Sequence, residues 1–193
     1  PPERQPRQAR DDSFVGIDSR LISSSGIGAS VKQPEAGSRL ALGLAALRRG
    51  QPVLLYDADG REEETDMVVA SQFATMETIR TVRTEAGGLL CTTVAPEHHH
   101  KLGLPFLSDL VRGAAKAHPV LAHMNADDIR YDPSRSSFGL TVNHRSTYTG
   151  IPDGDRSKTI LELAAFLGRV DAVPAPDAQR EFGREFRSPG HCI

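Results

Sequence analysis

The sequence predicts an α+β fold in which helices flank a mixed sheet. Apolar residues recur at helical spacing in several segments, and short apolar or alternating runs bounded by turn formers lie between them. A chain of 193 residues with 38% hydrophobic composition suits one ordinary domain.

Residues 1–37 are rich in Pro, Arg, Gln, Ser and Gly without sustained periodicity, and they predict a disordered N-terminal tail. Such a leader could be read as a transit peptide, but Glu3, Asp11, Asp12 and Asp18 count against that. The folded part is expected over 38–193. Ser38 is an N-cap candidate for a helix carrying Leu40, Leu44 and Leu47, closed by Arg48, Arg49 and Gly50. Pro52 to Tyr56 then reads as a buried strand and Met67 to Phe73 as extended chain. Thr75 can cap a helix with Ile79, Val82, Arg83 and Ala86 at helical spacing, ended by Gly87 and Gly88 before a further apolar strand, Leu89 to Val94.

A helical turn follows Pro96 up to Gly103, and an apolar segment runs from Leu104 to Val111. Residues 125–137 read as a polar loop. Phe138, Leu140 and Val142 alternate with Gly139, Thr141 and Asn143, which predicts a half-buried strand with Asn143 on the polar face. Asp153 or Asp155 can cap a helix carrying Ile160, Leu163, Ala164 and Leu167, stopped at Gly168. A Pro/Ala/Asp linker is expected next. Pro189-Gly190 signals a turn, and Cys192-Ile193 reads as the start of a strand.

Charge and composition exclude several function classes. With 25 acidic and 23 basic residues and a net charge of -2, the chain offers no basic stripe for nucleic acid and no polybasic anchor for a membrane surface. No run approaches the ~20 apolar residues of a bilayer span, so a cytoplasmic protein is expected. Two cysteines, Cys91 and Cys192, do not make a disulfide framework. No P-loop, GxGxxG, GxSxG or HExxH pattern occurs.

The densest polar feature is residues 57–66, with six acids and one arginine in ten positions. If the segment after Arg61 is extended, Glu62, Glu64 and Asp66 line one wall, which suits an oxygen-liganded cation such as Mg or Mn. The same run also reads as a solvated acidic loop. His98, His99 and His100 are adjacent and point about 100° apart on a helix, so they cannot share one ion and suit a solvated face. Cys91 in an apolar run suits a buried thiol, and His144 and His191 are each compatible with a structural role.

Taken together, DADGREEETDMVVASQF, EAGGLLC, KLGLPF, SSFGLTVNHRSTYTGI, DGDRSKTI and EFRSPGH resemble the 3,4-dihydroxy-2-butanone 4-phosphate synthases of riboflavin biosynthesis, most of all the archaeal type. The resemblance covers roughly Ser38 to Ile193. It implies a homodimeric lyase that converts D-ribulose 5-phosphate, a small sugar phosphate, to the four-carbon product and formate, with Mg or Mn and acid/base residues. Arg61 and Glu62 match the family's substrate-binding Arg-Glu pair, with Glu62 as metal ligand, and Asp66 matches the substrate-binding Asp that follows. His191 matches an essential histidine and Cys91 a residue lining the site. Glu64, Thr149, Asp155, Arg156 and Thr159 match neighbouring pocket positions.

Two kinds of departure accompany these matches. The family usually has Gly or Asn where this chain has Glu63, and more often an acid at the position of Gly60. The family also continues beyond the SPGH segment with an Arg-x-Gly-His-Thr-Glu motif, supplying a second metal ligand and the phosphate grip, and then a further Glu. The sequence as given reaches Ile193, so Glu62 is the one family metal ligand in it. The rival expectation is a non-catalytic remnant or fragment that keeps the scaffold as a binding or interaction protein.

Overall fold

The computed structural model describes residues 36–124 and 136–193, so the expected tail over 1–35 and most of the expected polar loop lie outside the described residues. The described chain is an α+β assembly of helices and small sheets. It divides into two compact units, one containing residues 36–55 and 67–70 and the other 56–66, 71–124 and 136–193.

In the first unit, α1 (Ala36–Arg48) begins two residues before the expected cap at Ser38. It turns at Gly50, whose φ of 76° is left-handed. Ala46 is its buried residue, while Leu40, Leu42 and Leu44 are exposed, so the predicted Leu40/Leu44/Leu47 stripe is not the packed face here. β1 (Val53–Tyr56) forms a two-stranded sheet with β2 (Thr65–Val68). The sequence is right about the strand and wrong about its burial, because Leu54, Leu55 and Tyr56 are exposed.

The second unit is organised by α5 (Asp153–Arg169). Its Ile160, Leu163 and Phe166 recur at helical spacing, and all are buried. Phe166 meets Phe182 of α6 (Ala175–Glu185) at 5.5 Å and Phe186 of β4 (Phe186–Cys192) at 6.1 Å between ring centroids, which ties α5, α6 and β4 together. Burying one such ring contributes about 1.5–3 kcal/mol. A second cluster joins Ala74, Ile79, Ile160 and Cys192, so α2 (Met76–Thr81) packs on the same helix. The hydroxyl of Ser157 reinforces that contact by donating to the Ala74 carbonyl at 2.7 Å.

Thr75 caps α2 by accepting the Thr78 N–H, as its sequence position predicts, and a π-helical turn continues to Ala86 before Gly87 and Gly88, both at positive φ. Leu89 to Val94 is not a strand, although Thr92 N–H donates to the Ile193 carbonyl at 2.6 Å. Next come α3 (Pro96–Leu102), closed by a left-handed Gly103, and α4 (Leu107–Ala114), where the sequence indicates only an apolar segment. Neither Asp153 nor Asp155 caps α5. Pro152 holds the N-cap position, Asp153 pairs with Arg83, and Asp155 turns back to the preceding loop. The expected linker is largely α6, whose Ala178 and Phe182 pack inward at i, i+4.

β3 (Val142–His144) pairs antiparallel with β4 in the register Val142↔Cys192, Asn143↔Arg187 and His144↔Phe186. Residues 188–191, the SPGH segment, are therefore accommodated opposite the single step from Val142 to Asn143. The predicted turn at Pro189-Gly190 is realised as this irregularity inside a strand, with a cis Ser188–Pro189 bond. The predicted alternation fails at the same point, since Val142 and Asn143 are adjacent and both buried, at 8% and 3% exposure.

Candidate functional site

The expected site residues form two clusters in the second unit. In the first, residues 57–64 turn instead of extending, and Glu63 takes a left-handed φ of 57°. The period-two wall of Glu62, Glu64 and Asp66 is therefore not formed, because only Thr65 and Asp66 of this run lie in a strand. Glu63 stabilises its conformation by accepting the Gly60 N–H on Oε1 at 3.0 Å. Asp57 organises the turn. One carboxylate oxygen accepts both the Glu62 N–H at 2.9 Å and the Arg61 guanidinium at 3.0 Å, and Arg61 also donates to Glu62 Oε2 at 2.8 Å. The backbone N–H groups of Glu62 and Ala58, and then Arg61, hold the Asp57 carboxyl below the usual carboxylate range.

Arg61 and Glu62 lie on the wall of a cavity of ≈ 560 Å³ that also reaches Cys91, His99, Phe106 and Cys192. Most of its remaining lining is apolar. Partial desolvation of its sulfur against the cavity wall, and secondarily the charge of Asp66, push the Cys91 thiol up. Burial likewise raises Cys192. Cys91 is exposed, contrary to the buried thiol expected from its apolar run. The three histidines of α3 diverge as predicted, but they are not one solvated face. His98 approaches Asp171 at 3.4 Å, and His99 packs on Phe106 with its Nε2 buried.

The second cluster surrounds Asn143, which the alternation placed on a polar face and the irregularity in β4 turns inward. Asn143 Oδ1 accepts the His191 N–H at 2.8 Å. Its Nδ2 donates to the Thr149 carbonyl at 3.2 Å and faces His191 Nδ1 at 3.2 Å. Asp155 Oδ2 accepts the N–H groups of Thr149 and Gly150, at 3.2 and 2.8 Å. Arg187 donates to the carbonyls of Thr147 and Tyr148. Thr159 is fully buried, and its hydroxyl bridges from the Asp155 carbonyl to the His144 N–H, which braces the loop. Arg156 has its Nε buried without a hydrogen-bond partner, and its carbonyl receives the Cys192 thiol at 4.0 Å.

His191 is exposed and lies in this second cluster, while its neighbour Cys192 is 1% exposed and reaches the cavity. The cavity wall thus takes Arg61, Glu62 and Cys91 but not Glu64, Asp66, Thr149, Asp155, Arg156, Thr159 or His191. Asp57 is visible in sequence only as one acid of the run over 57–66, and Asn143 carries no reactive signature. A polar residue adjoining an apolar strand position, six residues before a Thr-Gly turn, is the faint signal that Asn143 left.

A family model for 3,4-dihydroxy-2-butanone 4-phosphate synthase matches residues 43–193. The chain belongs to that family. A synthase of this name from Methanothermobacter thermautotrophicus is 48% identical over 148 residues, 77% of this chain and 61% of the relative. One from Archaeoglobus fulgidus is 45% identical over 149 residues, 77% of this chain and 60% of the relative. A crystal structure of a 3,4-dihydroxy-2-butanone 4-phosphate synthase in complex with two magnesium ions is 26% identical with a TM-score of 0.54, covering 79% of this chain and 57% of that one. The chain thus spans about 60% of the length of the curated relatives it matches.

For this synthase-family chain, the one expected metal ligand is Glu62, whose Oε2 accepts from Arg61 at 2.8 Å. Among the described residues no group of three or more His, Cys, Asp and Glu side chains is arranged to hold a metal ion. Mg commonly binds through one or two carboxylates, with substrate and water oxygens completing an octahedron. Glu62 offers such a carboxylate. Among the described residues, no helix is long and apolar enough to cross a membrane.

Proposed function

We propose that this chain carries the Arg-Glu loop and essential histidine of a lyase that converts D-ribulose 5-phosphate to 3,4-dihydroxy-2-butanone 4-phosphate and formate in riboflavin biosynthesis. The observation that carries the reading is the Arg61–Glu62 ion pair, anchored by Asp57 on the wall of a cavity. The sequence resemblance matches that pair to the family's Arg-Glu pair.

Removing a carbon-bound proton beside a carbonyl requires a base and donors for the negative charge that develops on oxygen. Arg61 supplies fixed positive charge and Glu62 a carboxylate, both in a turn whose geometry Asp57 sets through two hydrogen bonds. Mg or Mn, when bound, supplies Lewis-acid polarisation of the substrate carbonyl, and Glu62 is the residue here that would hold it. Cys91 lines the same cavity as the pair, and the charge of Asp66 reaches its thiol. Glu64 and Arg156 belong to the reading by their match to the family, while Thr149, Asp155 and Thr159 shape the loop beside His191. The reading includes a cytoplasmic homodimer. The small-molecule substrate accords with the lack of a basic stripe for nucleic acid.

The test is formate release from D-ribulose 5-phosphate by protein shown to be folded by circular dichroism, with Mg and then with a chelator. Chelator-sensitive formate that disappears in Glu62→Ala with an unchanged dichroism spectrum is the expected result. No formate from the folded chain overturns the reading, and activity retained by Glu62→Ala removes Glu62 from the metal site.

A further inference from the structure

We propose that Asn143 is a positioning residue that holds His191 as its Nε2–H tautomer, so that His191 meets the substrate as a hydrogen-bond donor and not as the base that takes the first proton; the role at the substrate rests on the synthase reading above. The argument starts from the orientation of the Asn143 amide. A backbone N–H can only donate and a backbone carbonyl can only accept. The His191 N–H lies 2.8 Å from one end of the amide and the Thr149 carbonyl 3.2 Å from the other, so the first end is Oδ1 and the second is Nδ2. Reversing the amide would set donor against donor and acceptor against acceptor at once.

The NH₂ group fixed in this way also faces His191 Nδ1 at 3.2 Å. That ring nitrogen must accept, since a proton on Nδ1 would oppose the amide N–H. The neutral ring therefore carries its proton on Nε2. Asn143 is 3% exposed whereas His191 is exposed, so Nδ1 is turned to the buried amide and the accessible edge of the ring presents Nε2. The fold leaves the amide little freedom. A Cβ on Gly150 would lie 2.1–2.3 Å from its Nδ2, Cγ and Oδ1, and a Cβ on Gly190 would lie 2.0 Å from the Val142 carbonyl carbon. Both glycines permit the close approach that seats Asn143 between the loop and His191.

An Nε2–H at the accessible edge donates a hydrogen bond to a substrate oxygen as negative charge grows on it. It offers no lone pair there for a carbon-bound proton, so that proton leaves to another group.

The tautomer is read from two-bond ¹H–¹⁵N correlation spectra of protein labelled with ¹⁵N-histidine, at a pH where the ring is neutral, with the His191 signals identified by their loss in His191→Gln. The expected wild-type pattern is a protonated Nε2 and a bare Nδ1. Asn143→Asp keeps an acceptor for the His191 N–H but removes the NH₂ donor. It should move the ring proton to Nδ1 and lower kcat for formate release by on the order of 10²-fold with little change in KM. A protonated Nδ1 in the wild type overturns the proposal, as does an unchanged tautomer in a folded Asn143→Asp protein. If that variant does not fold, the wild-type spectrum still decides the tautomer. The spectra need no turnover, so a chain with the expected tautomer that releases no formate refutes the synthase reading and the substrate role, separately from the hold of Asn143 on the ring.

Discussion

Substituting Gly150 with alanine tests the link between the loop and the histidine most directly. Gly150 has a φ of 82°, and the three atoms nearest a Cβ there, at 2.1–2.3 Å, all belong to the Asn143 amide. The left-handed backbone alone costs an L-residue about 1–2 kcal/mol. The clash also displaces an amide that is 3% exposed and bonds the His191 N–H and the Thr149 carbonyl. Leaving a buried polar group unpaired costs about 1–3 kcal/mol. A loss of roughly 4 kcal/mol follows, which at a slope of ~2 kcal/mol/M moves the urea midpoint down by about 2 M. Gly168→Ala is the control. No atom lies within 4 Å of a Cβ there, the residue sits near the end of α5, and alanine should stabilise by about 0.5–1 kcal/mol. A Gly150→Ala midpoint within about 0.5 M of wild type would refute the claim that this glycine makes room for the amide.

Two further outcomes follow from the charged groups. Arg83 donates two hydrogen bonds to Asp153, both at 2.9 Å, and holds its carboxyl below the ordinary value, so the pair's contribution is present above the unfolded Asp value of about 4 and is lost as pH falls through the lower folded value. The difference in melting temperature between wild type and Arg83→Gln should therefore shrink on acidification below that point, and a constant difference would contradict the pairing. Asp66 raises the Cys91 thiol, second to burial, so Asp66→Asn should increase the rate of Cys91 alkylation by iodoacetamide at pH 8, with the 1%-exposed Cys192 as an unreactive internal reference. An unchanged or slower Cys91 rate would show that the charge of Asp66 does not reach the thiol.

Local signals were reliable where the structure is made of local interactions. The Thr75 cap, the Gly87-Gly88 stop, the Pro96-to-Gly103 helix and the Ile160/Leu163 stripe of α5 all depend on residues within one or two turns of each other. Expectations failed where burial on one element depends on a distant one. β1 looks like a core strand by composition but is exposed, and Leu89 to Val94 is apolar enough for a strand but has no ladder in the described residues. α6 was hidden by its Pro/Ala/Asp opening, since the Phe182 that makes it pack is useful only once Phe166 and Phe186 are beside it.

The family and the Arg61–Glu62 pair are legible in the chain's order of motifs, because the residues that carry the resemblance are adjacent in sequence. The same adjacency makes residues 57–66 stand out as a candidate site. Their shape was not visible. Glu63 at a φ of 57° breaks the extended run, because Asp57 and Gly60 draw the turn closed from outside the pattern. Asn143 shows the sharper limit. Period two assigns it to the face opposite Val142, and only the accommodation of residues 188–191 across the strand pair turns both inward. Hydrogen-bond polarity across 48 residues of chain then selects which ring nitrogen of His191 is turned to the buried amide, and no spacing along the sequence encodes that relation.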